Sequence, residues 1–74
     1  KVGWKNLSNV AKRKLDMLHY AHALIDLKSP PGNRLEELKG KLHGHHSIRI
    51  NDQWRIVFKW THQGPSDVRI VDYH

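Results

Sequence analysis

The chain has 74 residues, with 13 Lys and Arg against 7 Asp and Glu, a formal charge of +6 and no cysteine. That describes one small basic domain, residues 1–74, with room for a modest core and none for a second domain. The absence of cysteine excludes a disulfide scaffold and thiol catalysis, removes the commonest ligand of structural zinc sites, and fits a reducing, cytoplasmic setting.

No membrane association is expected, because the longest apolar runs are three residues against the ~20 that a bilayer-spanning helix needs. No signal-peptide pattern opens the chain. It begins at Lys1 and enters a helical pattern almost at once, so a further N-terminal segment is expected ahead of it.

Leu7, Ala11, Leu15, Leu18, His22 and Ile25 recur at spacings of three and four, which predicts an amphipathic helix capped by Asn6 or Ser8. The run Lys28-Ser29-Pro30-Pro31-Gly32-Asn33 stops it. Residues 34–44 are short and glycine-punctuated and read as a connector.

The period then becomes two. Residues 47–50 and 54–60 predict a hairpin around Asn51-Asp52, and residues 68–73 a third antiparallel strand after a turn at 61–66. The expected fold class is α+β, an N-terminal helix packed on an antiparallel sheet.

If the apolar alternation faces the helix, Ile48, Ile50, Trp54, Ile56, Phe58, Trp60, Val68 and Ile70 form the core. The other face then carries Ser47, Arg49, Arg55, Lys59, Arg69 and Tyr73 around Val57 and Val71. All its charges are positive, which suits a phosphate backbone, although antiparallel sheets commonly expose one polar face for solubility alone.

His43, His45 and His46 sit together in a glycine-bearing loop, and His19 and His22 share helical spacing. Imidazole binds metals, but nothing completes a ligand set, so these read as surface or packed histidines and no metal or other cofactor is expected. Asp72, Tyr73 and His74 close the basic strand with proton-transfer chemistry, or are an ordinary chain end. Glu36 and Glu37 read as solvated carboxylates, and no Walker-type loop or nucleophile elbow occurs.

The stretch from Asp26 to Glu36, with Pro30-Pro31-Gly32-Asn33-Arg34-Leu35-Glu36 at its centre, resembles the HigB-like branch of the RelE/HigB superfamily of toxin ribonucleases. Ser47-Ile48-Arg49-Ile50-Asn51-Asp52-Gln53-Trp54-Arg55 and Val71-Asp72-Tyr73-His74 match the same branch in order and spacing.

The resemblance implies a RelE-like fold with helices on one side of a curved antiparallel sheet, and a strand and helical segment preceding Lys1. It implies ribosome-dependent cleavage of mRNA. It also implies a helix-turn-helix antitoxin of the HigA type, and operator DNA bound only through the toxin–antitoxin complex. Arg55 stands at the family's phosphate-binding arginine, and Tyr73 and His74 at its C-terminal catalytic pair. Glu36 falls where some relatives place a general base and at least one places His. Lys39 matches a lysine near the active site, and Asp72 an acidic catalytic residue, although alternation turns Asp72 away from Arg55.

These residues suit RNA cleavage by the substrate's own 2′-hydroxyl. Glu36 or His74 would accept its proton, Arg55 with Arg49 or Lys39 would hold the phosphorane charge, and Tyr73 or His74 would protonate the leaving 5′-oxygen. Lys59 and Arg69 extend the RNA-binding surface. Two other readings use the same residues: a non-catalytic RNA-binding module, and a subunit whose basic face meets an acidic protein partner.

Overall fold

The computed structural model describes residues 4–72, with side chains from Ser8 onward. Its elements are a helix α1 (Trp4–Tyr20) and four strands, β1 (Glu36–Glu37), β2 (His45–Arg49), β3 (Trp54–Thr61) and β4 (Gly64–Asp72), in sheet order β1-β2-β3-β4 with every neighbouring pair antiparallel. The α+β class is as expected; the number of strands is one more.

α1 buries Ala11 and Leu18 and packs Val10, Leu15 and Met17 beside them, the stripe its spacing predicts. Leu7 lies outside the described side chains. The helix is already under way at Trp4, so Asn6 and Ser8 lie within it rather than at its start.

Its far end also differs, because the helix stops at Tyr20 and a 3-10 turn, Leu24–Lys28, follows. The cause is Asp26, whose Oδ2 accepts hydrogen bonds from the backbone N–H groups of His22 (3.0 Å) and Ala23 (3.1 Å), a local alternative to continued helix. His22 and Ile25 therefore leave the apolar stripe, with Ile25 66% exposed, and Leu27 enters the core instead at 0%.

The connector contains β1. Glu36 pairs with Ser47 and Glu37 with His46, and the Leu38 N–H donates to the His45 carbonyl at 2.9 Å. Two residues are too few to show a strand's alternation, and two glutamates are what a protected edge carries.

The core lies between α1, Leu27 and the β2–β3 hairpin, where Ile48, Ile50, Ile56 and Phe58 are buried and Trp54 and Trp60 pack against them. Asn51 builds the hairpin turn, its Oδ1 accepting from the N–H groups of Gln53 (2.8 Å) and Trp54 (2.9 Å). The next turn is tighter than expected: Gly64, at φ +105°, already opens β4, and Pro65 and Ser66 belong to that strand.

Val68 and Ile70, expected in the core, are 40% and 38% exposed. β4 is an edge strand, paired with β3 on one side only. Opposite Phe58 it also carries a bulge, where Asp67 and Val68 together span one residue of β3 and Asp67 takes φ +49°.

Candidate functional site

Strand pairing builds the face of the sheet turned away from α1 in rows: Glu36, Ser47, Val57 and Arg69 in one, and Arg49, Arg55 and Val71 in the next. This face is not uniformly solvated. Ser47 (0%), Val57 (1%) and Arg55 (6%) are buried, and a buried guanidinium is tolerable only when paired and hydrogen-bonded.

Arg55 meets that condition. Its Nε donates to Ser47 Oγ at 2.9 Å, its Nη2 donates to the Arg34 carbonyl oxygen at 2.6 Å, and its Nη1 lies 3.3 Å from Glu36 Oε1. Three different elements therefore hold the fork: β2 through Ser47, β1 through Glu36, and the loop before β1 through Arg34.

Above Arg55 opens a cavity of about 250 Å³ lined by Arg34, Glu36, Arg49, Asn51, Asp52 and Arg55. Three arginines thus line one small pocket, a fit for a phosphate group and its fork-shaped hydrogen bonding.

The expectation of an all-cationic face needs correction, because carboxylates from segments with no strand pattern fold in beside it. Glu36 pairs with Arg55, Asp52 pairs with Arg49, and Asp67 lies 3.5 Å from Arg69 and 2.9 Å from His45 Nε2. β1 delivers the first, the hairpin turn the second and the bulge the third.

The loop behind Arg34 is anchored by Asn33, which is fully buried. Its Nδ2 donates to the carbonyls of Leu27 (3.1 Å) and Ser29 (3.4 Å) and approaches Met17 Sδ (3.1 Å), while its Oδ1 accepts from Lys14 Nζ. Burial, with Arg13 and Arg49 nearby, holds the Lys14 ammonium below the ordinary lysine range.

Arg34, Asn33 and Asp52 are contributions that pattern reading missed. Arg34 acts partly through its carbonyl, which no side-chain motif reveals, and its left-handed backbone (φ +46°) turns the chain into β1. The one available signal was spacing, since Arg34 and Glu36 are two apart, as same-face residues of a strand are.

Of the residues singled out from sequence, Glu36, Arg49 and Arg55 come together in this pocket. Lys59 and Arg69 lie further along the same face, and Lys39, exposed at the start of the 3-10 turn Gly40–Leu42, does not line the pocket. Asp72 pairs opposite Trp54 and so belongs to the helix-side face, where its Oδ2 accepts from Gln53 Nε2 at 3.2 Å. Tyr73 and His74 lie outside the described residues.

The histidines do not gather. His45 and His46 belong to β2 and point to opposite faces, His45 to Asp67 and His46 to the Phe58 ring 6.1 Å away. The Nδ1 atoms of both are buried without a partner among the described residues and do not converge. His22 has left the helix, so it shares no helical face with His19, whose ring packs edge-on against Tyr20. A larger cleft, about 630 Å³, lies between Ala21, His22 and residues 60–64 and contains no arginine or carboxylate.

Comparison with known proteins gives this arrangement its context. The family described as the RelE-like toxin of the type II toxin-antitoxin system HigB matches residues 4–74. The chain belongs to the HigB-like toxin family. Over 56 residues it is 49% identical to toxin HigB-1 of Vibrio cholerae, covering 76% of this chain and 59% of that protein. Over 55 residues it is 46% identical to an uncharacterized protein of Haemophilus influenzae, covering 74% of this chain and 54% of the other. The HigB-like chain thus spans little more than half the length of these relatives. The helix on an antiparallel sheet agrees with the RelE-like fold that the resemblance implied.

Beyond the pocket, Asp67 makes a testable contribution to this HigB-like domain. The His45 hydrogen bond, with Arg69 beside it, holds its carboxyl below the usual aspartate range. A lowered folded-state value means stability that is fully present above about pH 4, the unfolded value, and is lost as the pH falls through the folded one. Asp67→Asn keeps an acceptor and tolerates the left-handed backbone but cannot ionise. Urea midpoints measured from pH 5 down to pH 2 are expected to fall more steeply for the wild type than for Asp67→Asn; parallel curves would remove this role.

Proposed function

We propose that this HigB-like chain carries the catalytic surface of a type II toxin that cuts mRNA on the ribosome and so halts translation. The observation that carries the reading is Arg55: a buried, threefold-anchored guanidinium at the floor of a pocket that also presents Arg34, Arg49 and the carboxylate of Glu36.

In the proposed reaction the 2′-hydroxyl of the substrate attacks the adjacent phosphorus and the bond to the 5′-oxygen breaks. The products are a 2′,3′-cyclic phosphate and a 5′-hydroxyl. Glu36, 3.3 Å from Arg55 and half exposed, takes the proton of the 2′-hydroxyl beside a phosphate seated on Arg55. His74 is the alternative base. Arg55 and Arg49 stabilise the charge that develops on the phosphorane, with Lys39 approaching from outside the pocket. Tyr73 or His74 returns a proton to the leaving oxygen.

Lys59 and Arg69 track the flanking backbone. Asp72, on the opposite face, enters as a positioning residue that ties the end of β4 to the β2–β3 turn through Gln53. The ribosome supplies what a shallow pocket lacks, an mRNA already held in attack geometry.

The proposed partners are the ribosome with its mRNA and a HigA-like helix-turn-helix antitoxin, which connects the protein to operator DNA. The proposed location is the cytoplasm. Among the described residues no helix is long and apolar enough to cross a membrane.

A reconstituted translation reaction on a defined mRNA, mapped by primer extension beside a ribosome-free control, tests the reading. Cuts that require ribosomes and leave cyclic phosphate ends are expected. Salt-sensitive RNA binding with no cuts, from folded protein, sinks it in favour of a binding module.

A further inference from the structure

Arg49 and Arg55 stand directly opposite each other on neighbouring strands, a like-charged pair that costs free energy unless each charge is compensated. Arg55 is compensated by Glu36 from β1. Arg49 is compensated by Asp52, which hydrogen-bonds to its Nη2 from the tip of the β2–β3 turn.

The two carboxylates differ in setting. Glu36 is about half buried beside the guanidinium it serves, whereas the Asp52 side chain is 100% exposed and Arg49 only 33%. The turn's own side-chain hydrogen bonds come from Asn51, through its Oδ1. Yet Asp52 reaches back to line the pocket.

We propose that Asp52 sets the affinity and selectivity of the phosphate pocket: it occupies the Arg49 guanidinium where an RNA phosphate must bind, and the phosphate enters by displacing it. The inference rests on the ribonuclease reading above for the identity of the ligand.

A carboxylate and a phosphate oxygen compete for the same N–H groups of an arginine. A flexible RNA free in solution must order its backbone and displace Asp52 at the same time. An mRNA held in place by the ribosome has its backbone ordered already and has only the exchange left to make. Asp52 thereby widens the gap between free and ribosome-held RNA without touching the reacting atoms.

The test uses Asp52→Asn and a short 2′-O-methyl oligoribonucleotide, which has no nucleophilic hydroxyl, so that binding is read apart from cleavage. Fluorescence anisotropy at several salt concentrations is expected to show about two- to fivefold tighter binding than wild type, the scale of the exposed ion pair that no longer has to be broken. The log–log salt slope is expected to match that of wild type, because Arg49 contacts the phosphate in both complexes.

In an Arg49→Ala background the same substitution is expected to change affinity by less than about 1.5-fold, because the coupling runs through Arg49. Glu37→Gln, which removes an exposed carboxylate outside this pocket, is the charge control and is expected to bind as wild type does.

The proposal is overturned by unchanged affinity in Asp52→Asn, by tightening that persists without Arg49, or by equal tightening in Glu37→Gln. It is also overturned if neither wild type nor Asp52→Asn binds the oligonucleotide at low salt. Cleavage on ribosomes is scored in parallel. Arg49-dependent tightening without any cleavage keeps Asp52 as the pocket's gatekeeper and removes the ribonuclease reading; cleavage with unchanged Asp52→Asn binding removes Asp52 alone.

Discussion

Arg55→Lys is expected to lower ribosome-dependent cleavage by about 10²- to 10³-fold, the loss that follows removal of one preorganised charge-stabilising donor set. The charge survives the substitution, so the loss is one of geometry. The guanidinium engages Ser47 Oγ, the Arg34 carbonyl and Glu36 Oε1 in three directions at once, which a single ammonium at the end of a flexible stem cannot reproduce.

Lysine also leaves Ser47 Oγ and the Arg34 carbonyl competing for one donor group. Ser47 is fully buried, and an unsatisfied buried acceptor costs about 1–3 kcal/mol. A thermal melt by circular dichroism separates that structural cost from the chemical one, provided activity is compared at a temperature where both proteins are folded. Lys-variant cleavage within a few-fold of wild type would falsify the placement of Arg55 at the reacting phosphate.

The β2–β3 hairpin was plain from the sequence because every local signal agreed. Ile48, Ile50, Ile56 and Phe58 alternate, Asn51 supplies a side-chain acceptor for the turn, and all four apolar residues are buried. Where the structure departs from the pattern, a short-range polar contact or an edge overrides it. Asp26 ended the helix early by capturing the amides of His22 and Ala23. Val68 and Ile70 have the right period but sit on an edge strand paired on one side only.

The site divides in the same way. Arg49 and Arg55 were visible as alternating residues of paired strands. Glu36 was visible through family resemblance, since its approach to Arg55 depends on a two-residue strand that no periodicity announces. The charge balance of the face departs from the strand pattern for a related reason. Asp52 and Asp67 come from a turn and a bulge, and strand alternation says nothing about where such residues point.

Asn33→Ala is expected to be the most damaging single change outside the pocket, because one buried amide joins the helix, the 3-10 turn and the loop that shapes the site. Alanine removes the acceptor of the Lys14 ammonium and the donor to the Leu27 and Ser29 carbonyls. One charge-assisted and one ordinary hydrogen bond together amount to about 2–4 kcal/mol, against a total of about 4–11 kcal/mol for a chain of this size. At about 4–8 °C per kcal/mol, the melting temperature should fall by about 8–32 °C.

Asn33→Asp is the informative companion. It keeps an acceptor for Lys14 but offers no amide hydrogen to Leu27, so its melting temperature should lie between those of wild type and the alanine variant. Activity should fall further than stability in both, because the loop that Asn33 anchors carries the Arg34 carbonyl on which Arg55 rests. At a temperature where Asn33→Ala remains folded, cleavage is expected to be reduced while urea unfolding remains cooperative. A drop in melting temperature below about 5 °C, less than one ordinary hydrogen bond commands in a domain this small, would show that the loop holds its shape without Asn33. The orientation of Arg55 would then have to come from Ser47 and Glu36 alone.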